Sequence, residues 1–184
     1  MPTSYISFLA DINPITSAAL VATVFEEVRK GATEVYLMLS TPGGTVDHGV
    51  AAYNILKALP VPLTTHNVGG VNSIGNVLFL AGRHRKAAPG TTFMFHGVGF
   101  DITSPTRFEE KLLLERLDAL RADQAKIGAV ILERTKISQD EVSKLFLEAS
   151  TKDTAFAFSK GIIDEVVGIN LPAGAPLIQL VFQR

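Results

Sequence analysis

Cysteine and tryptophan are both absent from the 184 residues. Without cysteine there is no disulfide, no thiolate metal site and no thiol nucleophile, and the composition suits a reducing, cytoplasmic compartment. An excess of one charge is missing too. The net charge is −1, and the basic residues are scattered apart from Arg83–His84–Arg85–Lys86, which is expected as a solvated turn. That excludes the electrostatic footprint of a nucleic-acid or anionic-membrane binder. No apolar run reaches the roughly 18 residues a membrane helix needs. The start "MPTSYISF" lacks the charged and apolar regions of a signal peptide. No metal and no cofactor is expected.

What is present is apolar. Hydrophobic residues make up 47% of the chain and the mean hydropathy is +0.27, although no membrane segment absorbs them. Apolar surface is therefore expected between subunits. The length suits one domain, residues 1–184, with a full core. "SYISFLA" reads as a strand. "DINPITSAALVATVFEEVRKG" reads as a helix capped by Asp11 or Asn13, with Ile15, Ala19, Ala22, Phe25 and Val28 on one face. "EVYLMLS", the turn "TPGG" and the helix "VDHGVAAYNILKAL" follow. The unit then repeats as "VPLTTHNV", the turn "GG" and the helix "NSIGNVLFLAG". Repeated strand, glycine turn and helix, with strands apolar on both faces, predict an α/β fold with a parallel sheet.

Further along, "TTFMFH" reads as a strand behind a Pro89–Gly90 turn. A long helix is expected at about 105–135, with Leu113, Leu117, Leu120, Gln124, Ile127 and Ile131 forming one stripe. At about 1.5 Å per residue it makes a rod of about 40 Å, longer than such a domain is wide. Part of it should project and be covered by another subunit. Ser138 and Glu141 form a capping box that opens another helix. "DTAFAFSKG" is a short helix, and "IIDEVVG" and "PLIQLVFQ" are late strands.

Ser73 lies between a glycine turn and a nearly unbroken apolar run. Serine is a favoured helix cap, and it is also a nucleophile when a base and an oxyanion pocket are near. The N–H of Ile74, just after it, is a candidate oxyanion donor. In open α/β sheets ligands gather at the carboxyl ends of the strands, where the matching "TPGG" turn presents the N–H of Gly43. A base would be histidine. His48, His66 and His84 read as structural or exposed, whereas His96 ends the "TTFMFH" strand and so reaches the same sheet edge.

Taken together, "STPGGTVDHGVAAYNIL", "VGGVNSIGNVLFLAG", "APGTTFMFHGV" and "FSKGIIDEVV" resemble, block by block, the proteolytic subunit of the Clp protease. The resemblance spans Tyr5 to Val167. It implies a Ser–His–Asp peptidase of the ClpP/crotonase-like fold, acting on short or unfolded peptides inside stacked rings joined by the long "handle" helix. By position it makes Ser73 the nucleophile, His96 the base, and the N–H groups of Gly43 and Ile74 the oxyanion hole. Thr41 stands where the family has serine, and Val71–Asn72 where it has two alanines. Asn72 adds a polar group able to compete for Ser73. Ungapped counting puts the family's catalytic aspartate at Leu145; Glu148 is the nearest carboxylate, with Asp140, Glu141 and Asp153 as further options. The first strand begins almost at Met1, which argues against docking to a Clp ATPase ring. Three other readings are a catalytically silent ring of this fold, a crotonase-type acyl-CoA enzyme and a Ser–Lys signal-peptide peptidase relative. The last two are disfavoured, the first of them because no suitably placed carboxylates stand at either glycine turn.

Overall fold

The computed structural model describes residues 3–102 and 107–182. Strand β1 (Thr3–Leu9), helix α1 (Pro14–Arg29), strand β2 (Glu34–Thr41), helix α2 (Val46–Lys57), strand β3 (Leu63–Asn72) and helix α3 (Gly75–Phe79) form the expected repeat. They are followed by β4 (His84–Ala87), β5 (Thr92–Met94), α4 (Glu110–Arg134), α5 (Gln139–Glu148), β6 (Thr151–Lys152), α6 (Thr154–Ser159), β7 (Glu165–Val166) and β8 (Leu177–Leu180). The sheet runs β6-β5-β3-β2-β1-β8, with β4 also beside β3 and β7 beside β4. All pairings are parallel except β5 with β6. The fold is the expected α/β architecture. Its core gathers Ile6, Phe8, Leu37 and Leu39 from the strands with Leu20, Val24, Tyr53, Leu56 and Val77 from the helices.

Several local expectations are corrected. Helix α1 buries Thr16, Ser17, Leu20 and Val24, not the face through Ile15 and Phe25, both of which are exposed. The cap sets this rotation. Asn13 accepts from the N–H groups of Ile15 and Thr16, and the Thr16 hydroxyl turns inward to the Asp11 carbonyl at 2.7 Å. Strand β3 does not stop at Gly69–Gly70 but runs through them, pairing β4 over Thr64–Asn67 and β5 over Gly70–Asn72. The turn therefore moves to Ser73, and the helix after it shrinks to five residues.

Within the basic cluster His84, Arg85 and Lys86 lie in strand β4 rather than a solvated turn, and only Arg83 precedes it, exposed. Lys86 pairs with Glu165 at 3.1 Å, and Arg85 Nη1 donates to the Arg134 carbonyl at 2.7 Å. Partners on neighbouring elements make strand geometry affordable for charged residues. The long helix begins at Glu110; the expected start near Pro105 lies outside the described residues. It runs unbroken past Gly128 for 25 residues, about 37 Å at about 1.5 Å each. Only its C-terminal part is buried, through Ile127, Gly128, Val130 and Ile131, so the other end projects.

Candidate active site

Strand register assembles the site. Thr41 pairs with Val71, and Asn72 with Met94, so β2, β3 and β5 end side by side. Gly43 follows the first end by two residues, Ser73 the second by one and His96 the third by two. The three residues picked out in sequence thus meet at one carboxyl edge, where a parallel sheet presents its ligand-binding crevice.

Ser73 has φ 56°, a left-handed conformation that costs a non-glycine residue about 1–3 kcal/mol. Such a turn between strand and helix throws the side chain outward from the sheet edge. The capping role that the sequence also allows is not taken up. The residue at the cap position is Ile74, with no side-chain cap bond, and the N–H of Asn76 goes to the Ser73 carbonyl at 3.0 Å rather than to its hydroxyl. The Ser73 N–H is held by the Met94 carbonyl at 2.8 Å.

Gly43 faces this turn directly. A Cβ built on it would stand 2.7 Å from Ser73 Cβ and 2.8 Å from the Asn72 carbonyl oxygen, and its φ is +97°. No L side chain fits that space or that backbone. The two candidate oxyanion donors differ. Among the described residues the Ile74 N–H has no protein acceptor, whereas the Gly43 N–H donates to Thr41 Oγ1 at 3.1 Å. The Asn72 side chain lies toward Gly70, where a built Cβ would be 3.6 Å from Asn72 Oδ1, and among the described residues it makes no hydrogen bond to Ser73.

His96 is half-buried. Its Nδ1 lies 2.6 Å from the Gly97 carbonyl oxygen. A carbonyl only accepts, so Nδ1 carries the proton and Nε2 keeps a free lone pair. Among the described residues no hydrogen bond joins His96 to Ser73 Oγ. The chain around His96 is pinned to the end of α5, by Phe95 N–H to the Ser150 carbonyl at 2.9 Å and Gly97 N–H to the Phe146 carbonyl at 3.0 Å.

The carboxylates considered as a third member are engaged elsewhere or lie apart. Leu145, at the counted position, is 5% exposed in the core. Glu148 contacts Ser150 Oγ at 3.3 Å and Lys144 Nζ at 3.8 Å. Glu141 closes its capping box and pairs with Lys160, which holds its carboxyl at about 2. Asp153 caps α6 through the Phe156 N–H at 2.8 Å, and Asp140 sits in the first turn of α5, at the far end from His96. His48 is half-buried, His84 is exposed and His66 is buried in the sheet. No group of three His, Cys, Asp or Glu among the described residues could hold a metal.

The sequence model of the Clp protease family matches residues 3–170. The chain belongs to the Clp protease family. At that level it stands among serine-type peptidases. It is 27% identical over 165 residues to the ATP-dependent Clp protease proteolytic subunit 3 of Synechococcus sp. (strain CC9902), covering 86% of this chain and 79% of that one. The fold is similar to that of a mutant ClpP1 from Listeria monocytogenes, with a TM-score of 0.77, 18% identity and 91% of each chain covered. No helix among the described residues is long and apolar enough to cross a membrane.

One buried polar group beside the candidate nucleophile escaped the sequence reading. Asn76, three residues past Ser73, is 1% exposed and donates its amide to the Ser73 and Met94 carbonyls. Inside an apolar run it read as a helix residue. A polar amide at a core position was the available signal.

Proposed function

We propose that this Clp-family chain, as one domain over residues 1–184, is a cytoplasmic serine peptidase acting through Ser73 and His96 without a carboxylate. The observation that carries the reading is Ser73 itself, held at positive φ against Gly43 with its hydroxyl released from capping. Nε2 of His96 takes the hydroxyl proton as Oγ attacks the peptide carbonyl carbon. The Ile74 N–H receives the developing oxyanion, and the Gly43 N–H joins it by turning from Thr41. The imidazolium then protonates the departing amine, and water hydrolyses the acyl-enzyme by the reverse sequence.

In the usual triad an aspartate fixes the histidine tautomer. Here the Gly97 carbonyl does so, accepting from Nδ1. It supplies orientation without a full negative charge, so activity is slower than a triad's. Substrates are short or unfolded peptides lying extended along a strand edge, and the chains self-associate into stacked rings through α4. No cofactor and no nucleic acid takes part.

Covalent labelling by a fluorophosphonate, read by intact mass, tests the assignment. Wild type gains one adduct, Ser73→Ala gains none, and His96→Ala labels at least about 100-fold more slowly. Glu148→Gln stays within about 3-fold of wild type; loss of a true triad carboxylate costs about 10⁴. A second reading, a catalytically silent ring of the same fold, is favoured by the unmade Ser73–His96 hydrogen bond. A folded, assembled wild type that takes no label establishes it instead.

A further inference from the structure

We infer that Asn76 is a positioning residue, an amide clamp that ties the Ser73 turn to the end of β5, two residues before His96. The inference rests on the peptidase reading above. Asn76 is buried to 1% exposure, and its Nδ2 donates to two carbonyls at once, that of Ser73 at 3.0 Å and that of Met94 at 2.8 Å. Both partners are acceptors, so the orientation of the amide is fixed by its neighbours.

The Met94 carbonyl is also the acceptor for the Ser73 N–H at 2.8 Å, and Met94 lies two residues before His96. One side chain therefore bridges the carbonyl of the nucleophile and the strand end that precedes the base. It acts on the one described non-glycine residue, besides Ala149, that has positive φ. Opening that strained turn would let Ser73 relax toward an ordinary backbone and swing its hydroxyl away from His96.

The oxygen of the same amide speaks for positioning over stability. Asn76 Oδ1 is buried and has no hydrogen-bond partner among the described residues. A side chain chosen only to stabilise this apolar helix would carry no orphan acceptor, because a buried unsatisfied oxygen is unfavourable. The neighbours Val77, Leu78 and Phe79 are all apolar and buried. An amide is needed here only for what its two N–H bonds hold.

Asn76→Leu keeps the branching and the number of side-chain heavy atoms, with bulkier methyl ends, and removes both the clamp and the orphan oxygen. With the full chain, three quantities decide the matter: the melting temperature, the fluorophosphonate inactivation constants, and hydrogen exchange of the peptide containing the Ser73 amide. The leucine variant should melt at or above the wild-type temperature. Its maximal inactivation rate should fall about 10- to 100-fold, as for a nucleophile misplaced by a fraction of an ångström, while half-saturation by the reagent stays unchanged. Exchange at Ser73 should quicken at least about 10-fold. Asn76→Ala, which adds no atoms, gives the same readouts should leucine not fit. A folded variant with wild-type labelling and wild-type exchange overturns the inference. Should wild type itself take no label, the peptidase reading fails on its own, and exchange decides the clamp: unchanged exchange overturns it and accelerated exchange supports it.

Discussion

His66, on β3, is wholly buried and neutral, with each ring nitrogen committed. Tyr36 donates its hydroxyl to Nδ1 at 2.6 Å, and Nε2 donates to the Val167 carbonyl at 3.0 Å. Burial pushes its pKa below the ordinary histidine value, Lys86 adds to this, and the Val167 bond and Glu165 oppose it. A proton on Nδ1 would face the Tyr36 hydroxyl, which then could no longer donate. The linkage has a definite sign. The unfolded chain binds the proton more readily, so the stability due to neutral His66 is complete above about 6.5 and drains away as pH falls below it. Urea unfolding at pH 7 and at pH 5 checks this: wild type should lose more stability between the two than His66→Gln. The same residue-scale logic governs Gly43 and Ser73, where a missing Cβ and a tolerated positive φ let two turns touch. The sequence pointed to both residues as site members, but neither the contact nor the strain is visible in a string of letters.

Among the elements, α4 depends most on how its base is fastened. Arg134, in its last turn, donates from Nε to the Leu80 carbonyl at 3.1 Å and from Nη2 to the Gly82 carbonyl at 2.9 Å, closing the C-terminal end of α3. Arg85 returns from β4 to bond the Arg134 carbonyl. Two surface ion pairs join α4 to α2: Lys57 with Glu133, and Lys126 with Asp47 at 2.8 Å. Asp47 and Asp123 raise Lys126 to about 12. The exposed pairs contribute little, while charged hydrogen bonds to half-buried carbonyls contribute more. Arg134→Leu is therefore expected to destabilise by about 2 kcal/mol, lowering the melting temperature by roughly 4–8 °C. Lys57→Gln should shift it by no more than about 2 °C. Scanning calorimetry on both variants makes the comparison. Periodicity in the sequence marked α4 as one continuous rod, and that is how it folds. It could not mark Arg134 as the fastening, because the partner carbonyls lie more than fifty positions away.

Across the whole molecule, apolar surface is distributed unevenly. Leu113, Leu114 and Leu117 on the projecting half of α4 are 50%, 54% and 40% exposed, the first and last of them in the stripe that reads in sequence as a covered face. Surface of that kind on the projecting end of α4 suits cover by another copy of the chain, as the proposed assembly requires. Replacing the three leucines by glutamate should shift sedimentation from the proposed stacked rings toward a smaller species at micromolar concentration, with the far-ultraviolet circular dichroism of each chain unchanged. Unaltered sedimentation would place the interface elsewhere. The sequence by itself determined the α/β repeat and the long helix, and it singled out Gly43, Ser73, Ile74 and His96 as the candidate set. Those follow from local patterning: hydrophobic period, glycine turns and motif order are properties of neighbouring residues. Only the tertiary structure decided the rest. The strand register that brings Thr41, Val71, Asn72 and Met94 level, the burial of Leu145, the carbonyl partner of His96 and the two hydrogen bonds donated by Asn76 all depend on which segments lie side by side. Hydrogen bonds and packing act through space over a few ångströms, and the chain order does not encode that distance until the sheet has formed.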